Sequence, residues 1–521
     1  MTKQHYKTLI LKLRKDISKH FVVRFFLLIA NLCAVLNIFL LSREGILNMR
    51  LDKAKSTVCL WAVASLSTLS VAGGLNTNTN QSVLFQRSVA RDASTDVDAP
   101  YANPSGTAFM EDGLYISVNN QTFWQSRETT VEKSPIFKNG ENFKGKAFVP
   151  SLPSVLVTWH KGDFALSGHL GVIGGGGKVN FDDGIPSFYA LTYSPLKQME
   201  SALAEKGLKT TNSSVDVSLE ASSYIFGATL GAAYEFNKMF SVYAGARFNY
   251  AMNSYDGSLG NLKLNPVIPG VNPDGKMVEA STLSETFATL AENAKTQEEK
   301  VQYATLAGTF ETLDDKMSMD LELEQTGFGV TPIVGLGFKY KRLTLGAKFE
   351  YNTSIEMEND TKKNDTPLEQ FDDGKKDHND IPSLLAVGIN YSLLDNLRLA
   401  FGYHHWFDSK ADFSGDLEDN VDDTNEFLYG VEVDFLKRFT ISGGVQVTRF
   451  GIKDGYISDM NINISSRSFG FGLAYQATDW MRVNMSYFHT LYQDYDEQVE
   501  YGLDVYNRDS RGFGVGLDFR I

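Results

Sequence analysis

The stretch "FSVYAGARFNY", residues 240 to 250, decides the fold. In an extended chain Phe240, Val242, Ala244, Ala246, Phe248 and Tyr250 fall on one face, and Ser241, Tyr243, Gly245, Arg247 and Asn249 on the other. A period of two belongs to a strand with two unlike surroundings, here one oily and one wet. The pattern returns in Leu343, Leu345, Ala347, Phe349 and Tyr351 against Thr344, Gly346, Lys348, Glu350 and Asn352, and again over 439–447 and 481–487.

Working outward, such segments are predicted near 113–126, 149–161, 163–174, 214–236, 239–255, 318–341 and 343–357, then near 380–393, 396–411, 424–436, 438–450, 463–477, 480–495 and 508–521. Short turns such as Asn237-Lys238, Lys341-Arg342 and Leu436-Lys437 alternate with long loops at 127–148, 175–213 and 256–317. An even strand count with short turns at one end and long loops at the other predicts an all-β fold, a 14-stranded antiparallel transmembrane β-barrel. A soluble sandwich would turn its apolar faces inward and has no use for aromatic residues gathered at strand ends. Trp159, Trp406, Trp480 and Tyr492 fall at such ends, where a membrane barrel carries its aromatic girdles. At the C-terminus Val515, Leu517, Phe519 and Ile521 alternate with Gly514, Gly516, Asp518 and Arg520, so the last strand is expected to pair with the first and leave no edge facing lipid.

Two long loops carry helical spacing. Ser194-Pro195 reads as an N-cap with a first-turn proline for a helix over 194–206. Leu283, Phe287, Leu290 and Ala294, then Ala304, Ala307 and Phe310, predict helix within 278–313. These apolar faces either line a landing site above the barrel or pack on each other.

Composition fits the same class. The only cysteines among 521 residues are Cys33 and Cys59, so the body is free of thiols, as suits an oxidising compartment. The net charge of -14 is uneven, with 11 basic and 3 acidic residues in 1–72 and 38 against 60 beyond, which disfavours nucleic acid as a partner. Residues 21–41 are apolar but interrupted by Arg24, Asn31 and Asn37. From Met49 the chain reads as a secretory signal, with Arg50, Lys53 and Lys55, an apolar run from Val58 to Leu69, and Ser70-Val71-Ala72 as cleavage site. The expected organisation is therefore an upstream extension at 1–48, a signal peptide at 49–72, an N-terminal segment at 73–112 and a barrel at 113–521, with helical insertions in 175–213 and 256–317.

Catalytic signals are absent. His404 and His405 are neighbours on a strand and face opposite sides, so they cannot jointly grip a metal. The acidic run "DLEDNVDDTNE" at 416–426 departs from the twelve-residue calcium loop, and no Gly-x-Ser-x-Gly occurs. No enzyme, cofactor or metal is expected. Strand alternation turns Arg247, Lys348, Arg398 and Arg482 toward the lumen. Arg247 and Lys348 lie about 15 to 30 Å along their strands at roughly 3.3 Å per residue, and are the candidates for holding an anionic head group. The competing reading pairs them with Glu350 or with Asp92, Asp96 and Asp98. Gly168 and Gly171, preferred over the run Gly174-Gly175-Gly176-Gly177 that lies nearer the loop, are the candidate strand kink; the alternative is that they relieve crowding inside the barrel.

The segment "GLNTNTNQSVLFQRSVARDASTDVDAPYANPSGTAF", Gly74 to Phe109, resembles the N-terminal plug of the FadL/TodX family of outer-membrane transporters for fatty acids and hydrocarbons. An Asn-rich start, Gln81-Ser82, the run 91–95 and Asn103-Pro104-Ser105-Gly106 occur in family order, with Asn-Pro-Ser in place of the family's Asn-Pro-Ala. The resemblance implies a hatch inside the barrel that includes Arg91, Asp92, Asn103, Pro104, Ser105 and Gly106. It implies capture of a hydrophobic or amphipathic ligand at outer loops, hatch rearrangement and sideways exit through the wall into outer-membrane lipid; a monomer is expected. A general diffusion porin and a barrel-based receptor or adhesin are the alternatives.

Overall fold

A computed structural model describes residues 74–181, 184–205, 207–366 and 368–521. The expected upstream extension (1–48) and signal peptide (49–72) lie outside the described residues. The wall is built from fourteen antiparallel runs: β1 (Gly113–Glu132), β2 (Glu141–Lys161), β3 (Phe164–Phe181), β4 (Ser213–Phe236), β5 (Phe240–Leu264) and β6 (Met319–Tyr340). Next come β7 (Leu343–Glu350, resuming at Glu356–Asn364), β8 (Lys376–His378, then Leu384–Leu394), β9 (Leu397–Trp406), β10 (Val421–Phe435) and β11 (Phe439–Ile452). The circuit ends with β12 (Ser466–Thr478), β13 (Met481–Tyr492, with an outer arm Tyr495–Val499) and β14 (Gly502–Arg520). Each run pairs with its sequence neighbour. β14 closes on β1 from Tyr115 opposite Arg520 to Glu132 opposite Leu503, so the sheet closes on itself.

The side-chain distribution is inverted relative to a soluble protein. Leu230 is 65% exposed and Phe328 61%, whereas Asn119, Gln121, Arg247, Lys348, Gln446, Asn484 and Asp518 are buried. An apolar belt outside and a polar interior mean that the outer surface is solvated by lipid, and an even-stranded antiparallel barrel of this kind is an outer-membrane protein. No described helix is long and apolar enough to cross a membrane. Trp159 and Trp480 lie outside as girdle residues. Trp406 does not: it shares inward parity with His404, is 2% exposed and packs on Leu384 and Ala386. Tyr492 follows the same parity and sits 4.7 Å under the Arg508 guanidinium.

Inside the barrel, the chain before β1 folds into α1 (Val83–Arg87), α2 (Ala99–Ala102) and a 3-10 turn over Pro104–Phe109. The loop between β3 and β4 holds α3 (Pro186–Glu205), and that between β5 and β6 holds α4 (Ala280–Glu292) and α5 (Gln297–Lys316). α3 begins at Pro186, eight residues before the expected Ser194 cap, and Pro195 lies inside it. A first-turn proline costs nothing in either register, and the sequence offers one at both sites. α5 opens on a capping box between Thr296 and Glu299. The three helices pack on each other and on the tops of β4 and β5 through Leu196, Leu203, Leu283, Phe287 and Phe310, with the Phe287 and Phe310 rings stacked at 5.8 Å.

Leu230→Arg places a charge on the lipid face near mid-membrane and is expected to cost about 2–4 kcal/mol. Val301→Arg on exposed α5 should change stability by less than about 0.5 kcal/mol. Urea titration in lipid vesicles, read by gel migration of folded and unfolded barrel, measures both.

Candidate functional site: an occupied lumen and a break in the wall

Residues 74–110 lie against inward side chains from almost every side of the barrel. Three ionic knots hold them, two of them buried and the third, between Arg482 and Asp96, partly exposed. His404 on β9 bridges Asp92 (Nε2 to Oδ1, 2.8 Å) and Glu426 (Nδ1 to Oε2, 2.8 Å). Glu432 on β10 takes Arg87 at 2.8 Å and Arg91 at 3.5 Å, while Arg91 also donates twice to Asp98. Arg482 on β13 donates to both oxygens of Asp96 and to Asp518. Burial alone would raise the Asp96 carboxyl, but the Arg482 and Arg91 guanidiniums hold it well below the usual carboxylate range. On the opposite wall the bonds reach backbone carbonyls: Ser154 Oγ to Gln81, Ser241 Oγ to Ser105 and Lys348 Nζ to Tyr101.

Close approach is made possible by glycine. A Cβ at Gly346, Gly388 or Gly402 would come within 3 Å of Asp92, one at Gly430 of Ser88, one at Gly444 of Val89, and one at Gly470 or Gly514 of Gln86. Gly346 pairs with Gly388, Gly388 with Gly402, Gly430 with Gly444, and Gly444 with Gly470. These residues form a track around β7 to β12 in which the missing side chains leave room for 86–92. Asn103-Pro104-Ser105-Gly106 is a second contact of this kind. The Asn103 amide donates to the Ser94 carbonyl, Ser105 Oγ donates to Asn103 Oδ1, and Gly106 lies so close to the Ser94 carbonyl that no Cβ fits.

The wall is broken between β2 and β3. Ser154 to Lys161 pair with Gly171 to Phe164, and Gly145 to Ala147 with Phe181 to Val179, but 148–153 and 172–178 do not pair. Local chemistry accounts for this. Pro150 and Pro153 lack N–H donors on one side, and across from them Gly175 (φ +95°) and Gly177 (φ +62°) adopt left-handed backbone. The inner segment covers the break: Thr77 bridges Gly174, Asn78 N donates to the Ile173 carbonyl at 2.7 Å, and Gln81 Nε2 donates to that of Val172 at 2.9 Å. Phe123, Val149, Leu152, Val172, Tyr224 and Asn78 enclose a cavity of about 20 Å³ there, little more than one water needs.

Among solved structures this chain is similar to a Pseudomonas aeruginosa FadL homologue, with TM-score 0.54 and 11% identity over 84% of this chain and 98% of that one. It is also similar to the P. putida toluene transporter TodX, with TM-score 0.50 and 12% identity over 83% and 98%. It has the FadL/TodX fold. No protein-family model and no curated protein sequence matches the chain. At this identity the agreement is one of FadL/TodX architecture, and the contacts above are this chain's own.

Two expected roles change. The expected head-group cations Arg247 and Lys348 are already paired with a carboxylate: Arg247 Nη2 lies 2.5 Å and Lys348 Nζ 2.8 Å from Glu350, all buried, with both cations near the Tyr101 ring, while Arg247 Nη1 has no hydrogen-bond partner among the described residues. Parity was right, but a buried carboxylate within reach neutralises them first. Gly168 and Gly171 are not the kink, since both pair in unbroken register with β2 and β4. The register fails at Gly174–Gly177, where left-handed backbone is needed. Asn78 and Gln81 stood out in the sequence only within the plug resemblance, with no contact assigned to them, and the prolines of β2 went unremarked. A proline pair inside an alternating strand, opposite a glycine run, was the available signal.

Gly444→Val should push Val89 off the wall and open the lumen, seen as a rise in single-channel conductance in planar bilayers. Gly443→Val, on the outward face, should stay closed. Glu432→Ala leaves buried Arg87 without a carboxylate, while Arg91 keeps Asp98 and Arg398 keeps Asp434, and is expected to cost about 3–5 kcal/mol in the same urea titration.

Proposed function

We propose that the protein passively admits hydrophobic or amphipathic small molecules across the outer membrane, as a monomer, by sideways exit through the break between β2 and β3. The observation that carries this reading is the cover over that break. Residues 76–81 close it with a few hydrogen bonds to backbone and amide groups, whereas 86–98 are tied to β9, β10 and β13 by three charged knots. A short, uncharged cover on a firmly anchored body is the part that moves at least cost. The side chains behind it, Phe123, Val149, Leu152, Val172 and Tyr224, are apolar or aromatic and would face apolar cargo once the cover moves. The filled lumen argues against a general diffusion pore. The likeness to a hydrocarbon transporter supports the same reading.

The reading treats 76–81 as a gate and 83–110 as a fixed hatch. Deleting residues 74–82 should therefore speed toluene or oleate entry into vesicles while ionic conductance stays low. Deleting 74–110 should give a conducting pore. Entry unchanged by the short deletion, or blocked equally by neither Val149→Trp nor Leu152→Trp, would remove the wall exit from the mechanism.

A further inference from the structure

Outside the barrel, where β14, β1, β2 and β3 run side by side, lies a groove of about 740 Å³. Its floor is the stacked pair Trp124 and Phe148, with ring centroids 5.6 Å apart, both about half exposed. Around it stand Lys146, Lys178 and Arg511, with Asp509 as the one acid in the lining. Trp124 pairs with Phe148 on one side and Arg511 on the other, so the aromatic floor and the guanidinium share one row of the sheet.

The height of this row limits what can reach it. Trp124 lies eleven residues above Gly113, the periplasmic start of β1. At roughly 3.3 Å per residue and a tilt of about 40°, that is about 28 Å, the upper boundary of an apolar band some 25 Å tall. The outward Val118, Phe513, Val515 and Leu517 below are apolar, with polar Asn120 and Thr122 marking the approach to the row, and Ser126, Glu128, Lys144 and Asp509 above are all polar. The groove therefore faces the head-group layer of the outer leaflet.

We propose that it binds the phosphorylated sugar head group of an outer-leaflet glycolipid. Charge complementarity selects this occupant. Lys146 has no ion pair among the described residues. Lys178 and Arg511 have carboxylate partners in Glu220 (2.5 Å) and Asp509 (2.9 Å), yet their side chains stay more than half exposed and keep donors free for phosphate oxygens. Asp509 is shared further with His489 at 2.8 Å. The Trp124 and Phe148 faces suit the sugar and the first acyl carbons, as aromatic residues do at membrane interfaces. Phe148 begins the unpaired stretch of β2 and Lys178 ends that of β3, so the bound lipid sits at the outer mouth of the wall break. The site stands apart from the transport reading, since its test involves no transport.

Lipid A carrying both phosphates, and lipid A stripped of them, are titrated into the delipidated full chain in mild detergent, with occupancy read by native mass spectrometry. The wild type should prefer the phosphorylated form by about tenfold. K146Q/K178Q/R511Q should lose about that factor and the preference with it, and K146Q alone should lose part of both. Heat-dependent gel migration verifies that each variant is a folded barrel. W124A/F148A should weaken both lipids alike. Equal affinity of wild type and triple variant for phosphorylated lipid A, or no phosphate preference in the wild type, overturns the proposal.

Discussion

The molecule depends on one steric condition: a polypeptide must lie flat against the inside of a sheet whose inward side chains would ordinarily keep it away. Glycines at inward positions of β7 to β12 remove those side chains along a path, and the backbone of 86–92 occupies the space. Without that path the ionic knots could not form at hydrogen-bonding distance. Asp92, for example, reaches His404 while a Cβ on any of Gly346, Gly388 or Gly402 would overlap it. Buried charge is costly unless paired, so the knots penalise any arrangement in which the segment leaves the wall.

The anchoring is uneven. Charged pairs lie toward β9, β10 and β13, while the side facing β2 to β5 is held by hydroxyl, amide and backbone bonds. The wall opposite the firm side is also the one that fails to zip, because Pro150 and Pro153 withhold donors and the Gly174–Gly177 run turns away from the ladder. A weak wall and a weak cover coincide, which gives the barrel one preferred place to yield.

How far the sequence could be read depended on the range of the interaction. Alternation is local, so the strands, their parity and the barrel class were legible from stretches such as Phe240 to Tyr250. Parity put Arg247 and Lys348 in the lumen correctly, yet their partner Glu350 was one of several candidate acids, and only the closed wall selected it. Trp406 shows the opposite failure. Its place near a strand end resembled a girdle position, and only its parity with His404 turned it inward.

The sequence by itself determined a two-faced ribbon, the short turns, the even strand count and a proline-broken segment in need of support, because each follows from periodicity or from a missing N–H. Tertiary structure alone decided which glycines form the track, which of the two glycine groups in β3 breaks the wall, and how the lumenal charges divide among their partners. Those outcomes are set by contacts that no local pattern encodes, as when Asp92 meets His404 from 312 positions away.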